Sequence, residues 1–166
     1  AKQSDLVIRP TETYDGATPS STAVAITALI RLGKLMSHEP YLRVAEQALE
    51  KYEPQMRMLP QASGQMLIAL ELLQNRSQEF VLVPGEDDQL EEWLHVIRQS
   101  FIPNKVIAVK TDKNNDSPLL KNKHSIDAKT TLYLCENGSC HSPQNDLEAF
   151  NKVLKIEAFQ QKIQPI

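Results

Sequence analysis

The stretch CENGSCH, Cys135 to His141, places two thiols and an imidazole close together in the chain. Asn137-Gly138 is the favoured pair for a two-residue type I′ hairpin turn, in which both central residues take positive φ. Such a turn pairs Glu136 with Ser139 and sets Cys135 opposite Cys140 as the next, non-hydrogen-bonded pair, where Cα atoms approach to about 4.5 Å. A Cys135–Cys140 disulfide is therefore sterically allowed. The competing reading, two reduced thiols, is preferred for a chain in a reducing cytoplasm. A zinc site is disfavoured, and no metal is expected. Cys135, Cys140 and His141 make three ligands, residues 140 and 141 point apart on a strand, and no fourth ligand stands nearby.

A second polar cluster lies near the start of the chain, in YDGATPSS, and comprises Tyr14, Asp15, Thr18 and Ser20. Asp15-Gly16 suits a turn, the Thr18 hydroxyl suits a helix N-cap, and Pro19 suits the first helical position because the N–H it lacks would be unpaired there. Capping and turn formation is the first reading of these residues. The second is binding of a small polar ligand at the N-terminal end of a buried helix.

Other constellations fail on chemistry. VPGEDD, Val83 to Asp88, has the strand–turn–helix order of a nucleotide loop, yet it holds one glycine, Gly85. Glu86, Asp87 and Asp88 occupy the anion's place and are expected in a helix first turn, where carboxylates complement the dipole. His38, His95 and His124 stand apart, and no G-x-S-x-G elbow for a nucleophilic serine is present. Trp93 lies at core spacing with Leu90, Leu94 and Ile97. No cofactor is expected.

The elements that position these residues follow from periodicity. Asp5 to Arg9 reads as a short strand. A helix from Pro19 to Met36 carries Ala23, Val24, Ala25, Ile26, Ala28, Leu29, Ile30 and Leu32 around nearly its whole circumference, so it should be enclosed by protein. A helix from about Tyr41 to Tyr52 has one apolar stripe, Leu42, Ala45, Leu49 and Tyr52, with Arg43, Glu46, Glu50 and Lys51 away from it. After Pro54 and Pro60 a third helix, from about Gln61 to Gln74, is again apolar over most of its surface. Inner, outer, inner is the order expected of consecutive helices in an α/α toroid. Beyond Ser77 the pattern becomes strand (Glu79 to Gly85), helix, strand (Asn104 to Lys110), which is a βαβ unit with parallel strands. A polar segment, Thr111 to Lys129, reads as a mobile surface loop. Thr130 to Cys135 is a third strand, and a last helix from near Pro143 carries Leu147, Phe150 and Leu154. The fold expected is α/β: toroid helices over residues 1–77, then a small, mainly parallel three-stranded unit over 78–166.

The 166 residues carry a net charge of −3, with 41% hydrophobic and 23% charged side chains, which is a globular balance. Lysines are dispersed apart from Lys121 and Lys123, so no nucleic-acid surface is expected. No apolar run reaches the roughly 20 residues a membrane helix needs. The chain begins without Met or a signal-like segment, so it is expected to be a cytoplasmic piece of something longer.

The ordered set LVIRPTETYDGATPSSTAVAITALIRLGKL, YLRVAEQALEKY, EFVLVPG, FIPNKVIAV and TLYLCENGSCHSP resembles the C-terminal end of the thioredoxin-domain proteins related to spermatogenesis-associated protein 20. The resemblance covers nearly the full length. It implies a long parent chain with a thioredoxin-like domain, an α/α toroid similar to those of six-hairpin glycosidases and sugar epimerases, and a small α/β tail. Where that family has a run similar to PSGNS, this chain has Pro19, Ser20, Ser21, Thr22 and Ala23, which removes polar groups from the loop. The chain itself is thus expected to be a non-catalytic structural and interaction module helping to form a cavity for a sugar-like or small polar ligand. Its expected partners are the rest of the parent chain and, through the enclosed helix, another copy of itself. The alternatives are a redox role for Cys135 and Cys140, or a part in a glycosidase- or epimerase-like enzyme.

Overall fold

The computed structural model describes residues 11–75, 77–113, 117–136, 138–152 and 154. The strand expected at Asp5 to Arg9 lies outside them. The chain divides into two compact units after Asn75, each with its own core.

The first unit is helical: α1 (Ser21–Leu35), α2 (Glu39–Met58) and α3 (Gly64–Gln74), with a 3-10 turn at Pro60–Ala62. Ser20, in extended conformation, caps α1, and its Oγ accepts the Ala23 N–H at 3.4 Å. The cap expected at Thr18 is displaced two residues because the Ser20 N–H is held by Asp15, which makes Ser20 the last non-helical residue and leaves Pro19 outside the helix. Ala23, Ile26 and Ile30 of α1 pack with Ala45, Leu49 and Met56 of α2 and Met66, Ala69 and Leu72 of α3. Burial of Met56 carries α2 through Pro54, where the ring removes one backbone hydrogen bond, and on to Met58.

The opposite flanks differ in kind. On α1, Val24 (49%) and Leu32 (44%) are exposed, with Ala25, Ala28 and Arg31 beside them, and Ile68 on α3 is 54% exposed, next to Glu71. The outward side of α2 instead carries Arg43, Glu46, Glu50 and Lys51, with Val44 and Met58 exposed among them. The outward flanks of α1 and α3 are thus more apolar than that of α2. The expected enclosure of α1 is not met within this unit, because three helices can cover only one flank of it.

The second unit contains β1 (Gln78–Val83), α4 (Leu90–Gln99), β2 (Lys105–Val109), β3 (Thr131–Glu136) and β4 (Ser139–Cys140), and residues 147–152 are helical. The sheet order is β2-β1-β3-β4. The β1–β2 pair is parallel, as a strand–helix–strand order requires, while β3 runs antiparallel to β1 and β4 antiparallel to β3. The α/β class therefore holds, but the sheet is four-stranded and mixed rather than three-stranded and mainly parallel. Thr131 stands beside Val83, so the segment leaving β2 re-enters the sheet at the end it left and must return antiparallel.

One face of the sheet, with Phe80, Leu82 and Leu132, packs on Trp93, Leu94, Ile97, Phe150 and Leu154, and the Trp93 and Phe150 rings are 5.4 Å apart. The segment expected to be a mobile loop is instead held in its described part. Leu119 and Leu120 are buried, the Tyr133 hydroxyl donates to His124 O at 2.8 Å, and Lys110 Nζ donates to Lys123 O.

Candidate functional site

Asp15 is committed to the backbone. Its Oδ1 accepts the Ser20 N–H at 2.7 Å and its Oδ2 the Gln65 N–H at 2.6 Å, so one carboxylate serves the N-terminal ends of both α1 and α3. The Asp15 N–H in turn donates to Ala62 O at 2.9 Å. Burial works against its charge, but the Ser20 and Gln65 donors outweigh that and hold the carboxyl below its ordinary value. Ser20 is fully buried, whereas Tyr14 and Thr18 face solvent. The four residues singled out from the sequence therefore share a loop but do not converge. Gln65 completes the arrangement, and sequence offered no signal for it, since it lies fifty residues from Asp15.

The loop after β1 is closed by the chain entering β3. Asp87 Oδ1 accepts from the Thr130 hydroxyl at 2.6 Å, both Asp87 oxygens lie 3.0 Å from the Thr130 N–H, and Glu86 N–H donates to Ala128 O at 2.7 Å. Burial opposes the Asp87 charge, and the Thr130 donors reverse it, so this carboxyl also sits below its ordinary value. A Cβ at Gly85 would stand 2.2 Å from Lys129 C, so the turn needs glycine for close approach, not for a phosphate. The acids expected in the first turn of α4 lie ahead of it. Asp88 takes φ 51°, outside helical space, and α4 opens at Leu90 with Glu91 and Glu92 in its first turn. At the far end of α4, Lys105 Nζ donates to Ile97 O (2.7 Å), Arg98 O (3.2 Å) and Ser100 O (2.8 Å), and burial pulls its ammonium below its ordinary value.

In the hairpin, Glu136 pairs with Ser139 and Cys135 with Cys140, the register that a two-residue turn dictates. Gly138 has φ 78°, and Asn137 lies outside the described residues. The two sulfurs form a disulfide, with Cα atoms 3.9 Å apart. This corrects the preference for reduced thiols. Compartment argued for free thiols, but the turn brings the two side chains together regardless of compartment. His141 is exposed and makes its backbone bond to Leu134 O, and among the described residues no three His, Cys, Asp or Glu side chains cluster as metal ligands. No helix among the described residues is long and apolar enough to cross a membrane. Between α2 and α3 runs a groove of about 640 Å³, floored by Leu42, Leu49, Leu70 and Leu73 and rimmed by Glu46 and Glu50.

These features define a helical unit followed by a small mixed α/β unit with a cross-linked hairpin, and no assembled catalytic constellation among the described residues. The chain is similar in sequence to spermatogenesis-associated protein 20. It is 29% identical to that protein of Rattus norvegicus over 158 residues, covering 90% of this chain and 20% of the relative. It is 26% identical to that of Homo sapiens over 156 residues, with the same coverage, and 28% identical to an uncharacterised protein of Caenorhabditis elegans over 155 residues, covering 89% and 21%. The chain thus spans about a fifth of the length of the curated relatives it matches. No family model and no solved structure matches it.

Proposed function

We propose that this chain is a structural and interaction module of a larger protein, contributing consecutive helices to an α/α toroid, and that it has no catalytic activity of its own. The observation that carries this is the difference between flanks: the outward sides of α1 and α3 are mostly apolar, with Val24, Leu32, Leu67 and Ile68 exposed beside the charged Arg31 and Glu71, whereas that of α2 is mostly charged, with Val44 exposed among Arg43, Glu46, Glu50 and Lys51. Further helices of a parent some five times longer are the natural cover for the exposed flank and for the α2–α3 groove. Within that reading the parent, cytoplasmic and bearing a thioredoxin-like domain, encloses a cavity for a sugar-like or other small polar ligand. Tyr14 and Thr18 are the groups of the opening loop left free to face it, because Asp15 and Ser20 are bound to backbone. A glycosidase- or epimerase-like reaction would draw its carboxylates from outside this chain for the same reason.

The test compares Ile68→Asp in a protein of the relatives' length and in this chain alone. The longer protein should lose several degrees of Tm, and the chain alone, at a dilution where it is monomeric, should change by no more than about 0.5 kcal/mol, as at an open surface. Equal effects in both would refute the cover. A panel of sugars and nucleotides should shift the Tm of the longer protein only.

A further inference from the structure

The two residues of the Cys135–Cys140 bond differ in access. Cys135 is 1% exposed on β3, whereas Cys140 lies exposed on β4, the edge strand. Backbone contacts on both sides hold the two residues opposite each other: Glu136 pairs with Ser139, His141 N–H donates to Leu134 O at 2.8 Å, and Leu132 bridges Gln144. None of these contacts depends on the sulfurs, so the pairing persists when the S–S bond opens.

We propose that this hairpin is a thiol–disulfide exchange site, attacked at Cys140 Sγ, whose reductant is a dithiol. This is independent of the toroid reading. A thiolate of the dithiol attacks Sγ of Cys140, the exposed residue of the pair, a new S–S bond forms to that sulfur, and the Cys135–Cys140 bond breaks with its electron pair leaving on Cys135 Sγ. Cys135 leaves as the thiolate and takes its proton from solvent. The dithiol's second thiolate then attacks its own bound sulfur, releasing Cys140 and closing the reductant's disulfide. Two electrons and two protons pass to the hairpin. A monothiol is mostly returned at the first step, because Cys135 remains beside the mixed disulfide and recloses it at high effective concentration, and a second monothiol must arrive from solution to finish the reduction. A second thiol tethered to the first competes better with that return.

The air-oxidised chain is treated with dithiothreitol or 2-mercaptoethanol at equal thiol concentration, and freed thiols are alkylated and counted by mass spectrometry. Dithiothreitol should free both cysteines, with 2-mercaptoethanol at least about tenfold less effective. In the single variants, Cys140 in Cys135→Ser should label at least about tenfold faster than Cys135 in Cys140→Ser. Circular dichroism checks that both variants fold, and the comparison of reductants in the unsubstituted chain stands without them. Equal potency of the two reductants, equal labelling in two folded variants, opening only in denaturant, or no bond on air oxidation would each overturn the proposal.

Discussion

Asp15 shows how a residue of catalytic type is assigned by its neighbours. A carboxylate accepting two backbone N–H groups, one on each oxygen, acts as a cap shared by two helices. Asp15→Asn keeps the shape but offers one acceptor and turns an NH₂ toward an N–H, so it should lower stability in urea by about 1–2 kcal/mol. The folded carboxyl lies below its ordinary value of 3.8. Its ionised form therefore contributes fully above that value, and the contribution is lost as pH falls through the lower folded value. Stability measured from about pH 5 downward should fall more steeply for the unsubstituted chain than for Asp15→Asn. Parallel acid limbs would remove this role.

At the scale of elements, the clasp between the β1–α4 loop and the entrance to β3 joins segments that sequence reading kept separate. Asp127 and Ala128 both take positive φ, 54° and 55°, in a two-residue turn closed by the Ile126–Lys129 bridge, and that turn presents Ala128 O to Glu86. Left-handed backbone at a non-glycine residue is a conformation that surrounding contacts must hold. Gly85 lies under the same turn with backbone, not a flexible side chain, in the way of any Cβ. Gly85→Ala should therefore cost about 3 kcal/mol or more, read as a drop in the denaturant midpoint. A loss under 1 kcal/mol, the size of an ordinary surface change, would mean that the clasp is open in solution.

For the molecule as a whole, apolar side chains on the outward flanks of α1 and α3 predict association when nothing covers them. Sedimentation velocity should show the mean mass of this chain rising with concentration, and Val24→Lys with Ile68→Lys should abolish the rise. The hairpin register, the apolar stripe of α2 and the β1–α4–β2 unit were legible in the sequence, whereas α1 and α3, read as apolar over most of their surfaces, bury one flank each. Turn chemistry and the 3.6-residue period act over a few neighbours, and the chain carries both. Tertiary structure alone decided that β3 runs antiparallel, that residues 117–129 are held, that Gln65 meets Asp15 and that Thr130 meets Asp87. Those outcomes depend on which distant segments arrive at the same place, and a local rule of sterics or periodicity has no term for that.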